Sequence, residues 1–218
     1  MRLWCENMKS NGECKYCRKV FSAGAISRHL LACDKRKKAN KDGNENIFLI
    51  RASEGPFFAY FEINAKATLE KMDDFLRDIW LDCCGHLSAF TIGATRYNSY
   101  CEDLESDEKT LKHKLSELLS VNMPFSHEYD FGTTTNLSLK VIEKRKGRVR
   151  KVEVIARNNL PEFKCTCGSD AKEICSQCVW DGSGLLCSKC AKKHDCGEEM
   201  LLPVVNSPRM GMCGYTGY

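Results

Sequence analysis

The runs IFLIRAS (47–53) and FFAYFEI (57–63) are apolar at most positions and rich in β-favouring residues, with Glu54-Gly55-Pro56 between them. This pattern predicts two strands joined by a tight turn at Gly55-Pro56. The period then changes. Leu69, Met72, Phe75, Leu76, Ile79 and Trp80 recur at helical spacing behind Thr68, a candidate N-cap, so a helix is expected to lie against the sheet. HLSAFTIG (86–93) predicts a strand, LKHKLSELL (111–119) a short helix and FSHEYDFG (125–132) another strand. NLSLKVIEKRKGRVRKVEVIAR (136–157) predicts a hairpin turning at Lys146-Gly147. Strands and helices in mixed order give an α+β class, a mixed sheet packed by helices, with two small zinc-stabilised modules beside it.

The pattern divides the chain. RKKANKDGNEN (36–46) is charged and poor in apolar residues, and predicts a flexible basic linker between an N-terminal unit (1–35) and a core (47–162). A cysteine-dense stretch (163–200) follows, and a tail (201–218) is expected to pack back on the core.

Composition changes the picture through cysteine. There are 15 in 218 residues, unevenly placed, with only Cys83, Cys84 and Cys101 between Asp34 and Lys164. A disulfide-stapled fold would spread them more widely. The start, MRLWCENMKSNGECKYC, has no apolar run of secretory length, and no stretch of about 18 apolar residues occurs elsewhere. The expectation is a cytoplasmic protein, not associated with membrane, whose thiols stay reduced. A net charge of +4 permits contact with nucleic acid without arguing for it.

The spacing of these cysteines points to zinc, because Cys-x2-Cys places two thiolates on one tight turn of a tetrahedral site. Residues 165–196 hold four pairs: Cys165 with Cys167, Cys175 with Cys178, Cys187 with Cys190, and His194 with Cys196. Eight ligands make two sites, filled by the pairs either in sequence or interleaved. Cys14, Cys17, His29 and Cys33 follow Cys-x2-Cys-x11-His-x3-Cys, close to a one-zinc finger, with Phe21, Ile26 and Leu30 where a ββα finger places its small core. A helix over about 22–32 would set His29 and Cys33 one turn apart on one face. About three zinc ions per chain are expected, each in a closed site with no open position for a catalytic water. Cys5, Cys83, Cys84, Cys101 and Cys213 are left over and read as buried or incidental thiols.

Two resemblances extend this. ICSQCVWDGSGLLCSKCAKKHDC resembles the B-box and related cross-brace zinc modules, which implies interleaving, the first pair with the third and the second with the fourth, and a docking surface. TLEKMDDFLRDIWLDCCGHLSAFTIG and LSELLSVNMPFSHEYDFGTTTNLSLKVIEK resemble the Ri-plasmid ORF-three-like family, related to passenger proteins of some insertion elements. The likeness covers roughly 47–160 and extends to the tail NSPRMGMCGYTGY. It implies an α+β domain with a curved sheet, and no established activity comes with it. The shared positions are His86, Leu87, Phe90, Tyr129, Asp130, Phe131, Gly132, Gly214 and Tyr215, around which a cleft is expected. Where the family runs HLHEF and YDFGDxW, this chain has HLSAF and YDFGTTT.

The leading functional expectation is a zinc-binding intracellular interaction protein that contacts a macromolecule, protein or nucleic acid. KRKK (35–38) and EKRKGRVRK (143–151), with Arg28, are the candidate phosphate contacts, although the first reads more simply as solvated linker and the second as a hairpin tip. The alternative is an enzyme of unknown type with a cleft around His86 and Asp130, in which His86 or His127 is a base oriented by Asp130. A structural hydrogen bond between neighbouring strands accounts for the same residues. No Gly-rich phosphate loop, nucleophile elbow or His-Glu-x2-His sequence occurs.

Overall fold

The computed structural model describes residues 8–39, 42–100 and 108–217. Its centre is the hairpin of β3 (Glu45–Glu54) and β4 (Phe57–Asn64), turning at Gly55 with φ of 53°. The other strands of the main sheet are β1 (Asn11–Cys14), β2 (Val20–Ser22), β5 (Ser88–Ile92), β6 (Thr95–Asn98), β7 (Glu108–Thr110), β8 (Pro124–Tyr129), β9 (Thr135–Gly147) and β10 (Glu153–Asn158). Together they form a ten-stranded sheet in the order β2-β1-β10-β4-β3-β9-β8-β5-β6-β7. Its pairings are antiparallel except β6 with β7, so the class is α+β with a mixed sheet.

Both faces of the central hairpin are covered, which explains why its strands are almost wholly apolar. Phe48, Ile50, Phe57, Phe61 and Ile63 point into the main core. There they meet Leu69, Met72, Phe75 and Leu76 of α3 (Leu69–Leu76) and Trp80 beyond it. Thr68 caps α3, its hydroxyl accepting from Lys71 N at 3.3 Å. The alternate positions Leu49, Phe58 and Tyr60 face the other way and pack under Ile26 and Leu30 of α1 (Ala23–Ala32). The helix continues from Arg77 to Leu81 as a π-helical turn.

The N-terminal unit is therefore part of the sheet. β1 pairs with β10, placing Cys14 opposite Ala156, and a Cβ on Gly12 would stand 2.6 Å from both the Phe58 ring and the Arg157 carbonyl oxygen. Only glycine lets β1 approach this closely.

Three expectations are corrected. Arg36, assigned to a flexible linker, lies in α2 (Asp34–Lys38) and is 1 % exposed. Its guanidinium binds Glu62, itself fully buried, at 2.7 Å and Glu143 at 2.7 Å, and donates to the Leu30 carbonyl at 3.0 Å. Residues 136–157 do not form a hairpin, because β4 and β3 lie between β10 and β9. Arg145 is then no solvated tip residue, since it joins the other Glu62 oxygen at 2.6 Å. The helix expected over 111–119 shortens to α4 (Leu115–Leu118), whose first residue donates its backbone N–H to the Ala67 carbonyl.

The cysteine-dense stretch and the start of the tail build a three-stranded sheet from β11 (Glu173–Cys175), β12 (Leu185–Leu186) and β13 (Leu201–Pro203), with α5 (Ser188–Ala191) beside it. It has a small interior of Cys175, Leu186 and Ala191, while Ile174, Val179 and Leu185 join the main core. The tail packs back on the core. Ser207 Oγ donates to the Trp80 carbonyl at 2.6 Å, and Met210, Met212 and Tyr215 are buried. Among the described residues no helix is long and apolar enough to cross a membrane.

Candidate metal centres

Four ligands about 2.3 Å from a zinc ion stand about 3.8 Å apart along the edges of a tetrahedron, whereas a disulfide brings its sulfurs to about 2.0 Å. The described cysteines are all free thiols, and every one belongs to one of four Cys/His clusters. Within each cluster the candidate ligand atoms lie within 4.8 Å of one another.

Cys14, Cys17, His29 and Cys33 form the first cluster. Cys14 ends β1, Cys17 sits in the turn before β2, and α1 brings His29 and the following Cys33 to them. Cys17 Sγ is 3.2 Å from His29 Nε2, and Phe21 stacks on the imidazole with ring centroids 3.9 Å apart, fixing its plane. Burial pushes the Cys14 thiol up to about 11.

The cysteine-dense stretch holds two clusters, and their pairs interleave. Cys165 and Cys167 meet Cys187 and Cys190, while Cys175 and Cys178 meet His194 and Cys196. Cys167 and Cys187 are 3.7 Å apart, Cys178 and Cys196 3.5 Å, and Cys178 and His194 Nε2 3.5 Å, all near a tetrahedral edge. Backbone geometry holds them there. Cys175 N donates to the Gly184 carbonyl at 2.8 Å, and a Cβ on Gly184 would stand 2.7 Å from Val179 N, so the chain crosses the Cys178 turn only as glycine.

Electrostatics within these clusters are divided. Ser169, through its hydroxyl and backbone N–H, pulls Cys167 down to about 6, whereas Cys165 and Cys187 push Cys190 up to about 12. Burial opposes ionisation of Cys175, yet the backbone N–H groups of Cys178 and Gln177 bring it to about 7. Cys196 pushes Cys178 up to about 12. Packed thiolates repel, so one sulfur holds its charge only while a neighbour keeps its proton. A dication at the centre removes that conflict, and the donor set of soft sulfur and imidazole suits zinc.

Cys83, Cys84 and Cys213, expected as buried or incidental thiols, instead gather with His86 in a fourth cluster. Cys84 Sγ lies 3.0 Å from His86 Nε2 and 3.6 Å from Cys213 Sγ, and His86 Nε2 is 3.2 Å from Cys213 Sγ. Cys213 pushes Cys84 up to about 12. Cys5 and Cys101 lie outside the described residues.

Asp130 sits beside this cluster in a left-handed conformation, φ 64°, its Oδ1 accepting from Gly132 N at 3.1 Å and Thr133 N at 3.2 Å. Burial raises its carboxyl, but the buried Arg209 guanidinium and these two N–H groups hold it below the usual range. Its Oδ2 is 3.5 Å from His86 Nε2. That nitrogen also faces the two sulfurs, so one ring atom would have to serve orienter and reactant alike, which disfavours a base role. His127, the other candidate base, is fully buried and bonds Asp73 at 2.6 Å rather than Asp130. Asp73 is held in turn by Arg77 Nε at 2.6 Å, a structural triad.

No protein-family model matches the chain, and no curated protein matches it. Among solved structures, the crystal structure of a protein of unknown function from Methanosarcina mazei Go1 aligns over 51% of this chain and 67% of that chain, with a TM-score of 0.42 and 14% identity.

Proposed function

We propose that this is a zinc-stabilised intracellular interaction protein, in which closed zinc sites at Cys14, Cys17, His29 and Cys33, at Cys165, Cys167, Cys187 and Cys190, and at Cys175, Cys178, His194 and Cys196 hold surfaces in place around an α+β core. The carrying observation is that no described cysteine stands outside a Cys/His cluster. Four protein ligands close each of these three sites, so the metal shapes the chain and leaves catalysis to other groups. The Ri-plasmid ORF-three-like assignment of the core belongs to the same proposal and rests on the sequence motifs around His86 and Tyr129.

A protein partner is favoured over nucleic acid. Two arginines of the basic runs, Arg36 and Arg145, are spent inside the molecule on Glu62, while Trp180 stands 55% exposed on the turn that carries Cys178. Elemental analysis of the purified chain tests the metal, with at least three zinc ions per chain expected and fewer than two overturning the proposal. Titration with random duplex nucleic acid at low salt tests the partner. Binding that falls steeply as salt rises would move the function to nucleic acid.

A further inference from the structure

The loop carrying Cys83, Cys84 and His86 is built before any ligand is considered. Tyr129 Oη donates to Asp82 Oδ1 at 2.8 Å and accepts from Cys83 N at 3.4 Å and His86 N at 3.2 Å, while Gly85 N donates to the same Asp82 oxygen at 3.0 Å. These bonds curl residues 82–86 around one buried hydroxyl and turn both thiols and the imidazole to one side. Cys213 meets them from the tail in a left-handed backbone conformation, φ 46°, which a non-glycine residue adopts only when its surroundings hold it there.

The Cys83–Cys84 and Cys84–Cys213 separations, 3.8 and 3.6 Å, match a tetrahedral edge around zinc. Arg209 Nη2, which binds Asp130, also lies 3.6 Å from Cys83 Sγ, a cation placed to offset the surplus negative charge of three thiolates around a dication.

We propose that Cys83, Cys84, His86 and Cys213 form a fourth zinc site, one that clips the C-terminal tail to the core. It differs from the other three in two respects. Its ligands Cys84 and Cys213 stand 129 positions apart in the chain, so the metal closes a long loop, where a cross-link constrains the unfolded chain most. Two of its ligands, Cys84 and Cys213, are exposed, against Cys167 alone in the Cys165 cluster and none in the remaining two, so this ion is the first to exchange with chelators. The site is independent of the three closed ones, and its failure would leave them standing.

Elemental analysis of the full chain, with Cys84→Ser and Cys213→Ser beside it, is the direct test. Four zinc ions are expected in the natural protein and three in each variant. A natural protein that holds three overturns this site alone, whereas one that holds fewer than two overturns the scaffold proposal. Because a variant can lose more than one ion by misfolding, alkylation of the natural holoprotein supplies a second measurement. Cys84 and Cys213 are expected to resist iodoacetamide despite their exposure, and to be the first cysteines modified as a chelator is added. Alkylation of either at the rate of free N-acetylcysteine in the holoprotein, or recovery of a Cys84–Cys213 disulfide, overturns the proposal whatever the variants do.

Discussion

Arg36 and Glu62 meet at 2.7 Å in the interior, the arginine 1 % exposed and the glutamate 0 %. Arg145 takes the second carboxylate oxygen, so one buried anion is held by two cations arriving from α2 and from β9. The pair fastens the N-terminal unit to the sheet, because the same guanidinium also satisfies the last turn of α1 through the Leu30 carbonyl.

Removing Arg36 leaves Glu62 in a dry site with Arg145 still bound, but takes away one of its two cations and the donor to the Leu30 carbonyl. Arg36→Met is expected to cost about 2–4 kcal/mol in urea unfolding. Replacing the exposed neighbours Lys35, Lys37 and Lys38 with alanine is expected to change stability by no more than about 0.5 kcal/mol. Equal effects from all four residues would mean that the run is a solvated linker after all.

Two glycines separate space from conformation. At Gly184 a Cβ would overlap the backbone of the Cys178 turn, so Gly184→Ala is expected to displace that turn and lower zinc content by one. Gly24 lies in α1 with nothing within 4 Å of an added Cβ, so Gly24→Ala is expected to stabilise by about 0.5–1 kcal/mol through helix propensity. Thermal unfolding with metal analysis checks both.

Acid stability should carry the signature of Asp73. Burial raises its carboxyl, but the hydrogen bond from His127 and the charge of Arg77 pull it below its ordinary value of 3.8. A depressed folded-state value gives stability that is fully present above the unfolded value and is lost as pH falls through the folded one. Asp73→Asn should therefore be less stable than the natural protein at pH 7, with the gap closing below about pH 4. Any metal released in acid is released by both proteins and cancels in the difference. A gap independent of pH would remove the ionic account.

What the sequence disclosed follows the range of the interactions. The first three Cys/His clusters were legible because their residues come in pairs on local turns, and α3 because its period and Thr68 cap are local too. The fourth cluster was not, since Cys84 and Cys213 stand 129 positions apart and adjacent Cys83 and Cys84 match no ligand spacing. The false hairpin at Lys146-Gly147 arose likewise. Turn residues mark where a strand stops, but they do not say that β3 and β4 will fill the gap between β9 and β10. One usable signal was passed over: Glu62 is the only charged residue of FFAYFEI, and an acid in a run otherwise apolar calls for a buried cation.

Asp130 separates a structural site from a catalytic one. Its carboxylate does two jobs, closing the turn through Gly132 N and Thr133 N and neutralising the buried Arg209. Asn keeps the first, since it tolerates a left-handed backbone and its amide oxygen can accept both N–H groups, but it gives up the charge. Alanine gives up both and fits the φ of 64° poorly. The expected order of stability is natural protein, then Asp130→Asn, then Asp130→Ala, with the first step about 2–4 kcal/mol because Arg209 is left buried without its anion. Urea unfolding of the three proteins, each analysed for zinc, reads this order. Full stability and metal content in Asp130→Asn would show that Arg209 does not need the charge, and would return Asp130 and His86 to candidacy as a reacting pair.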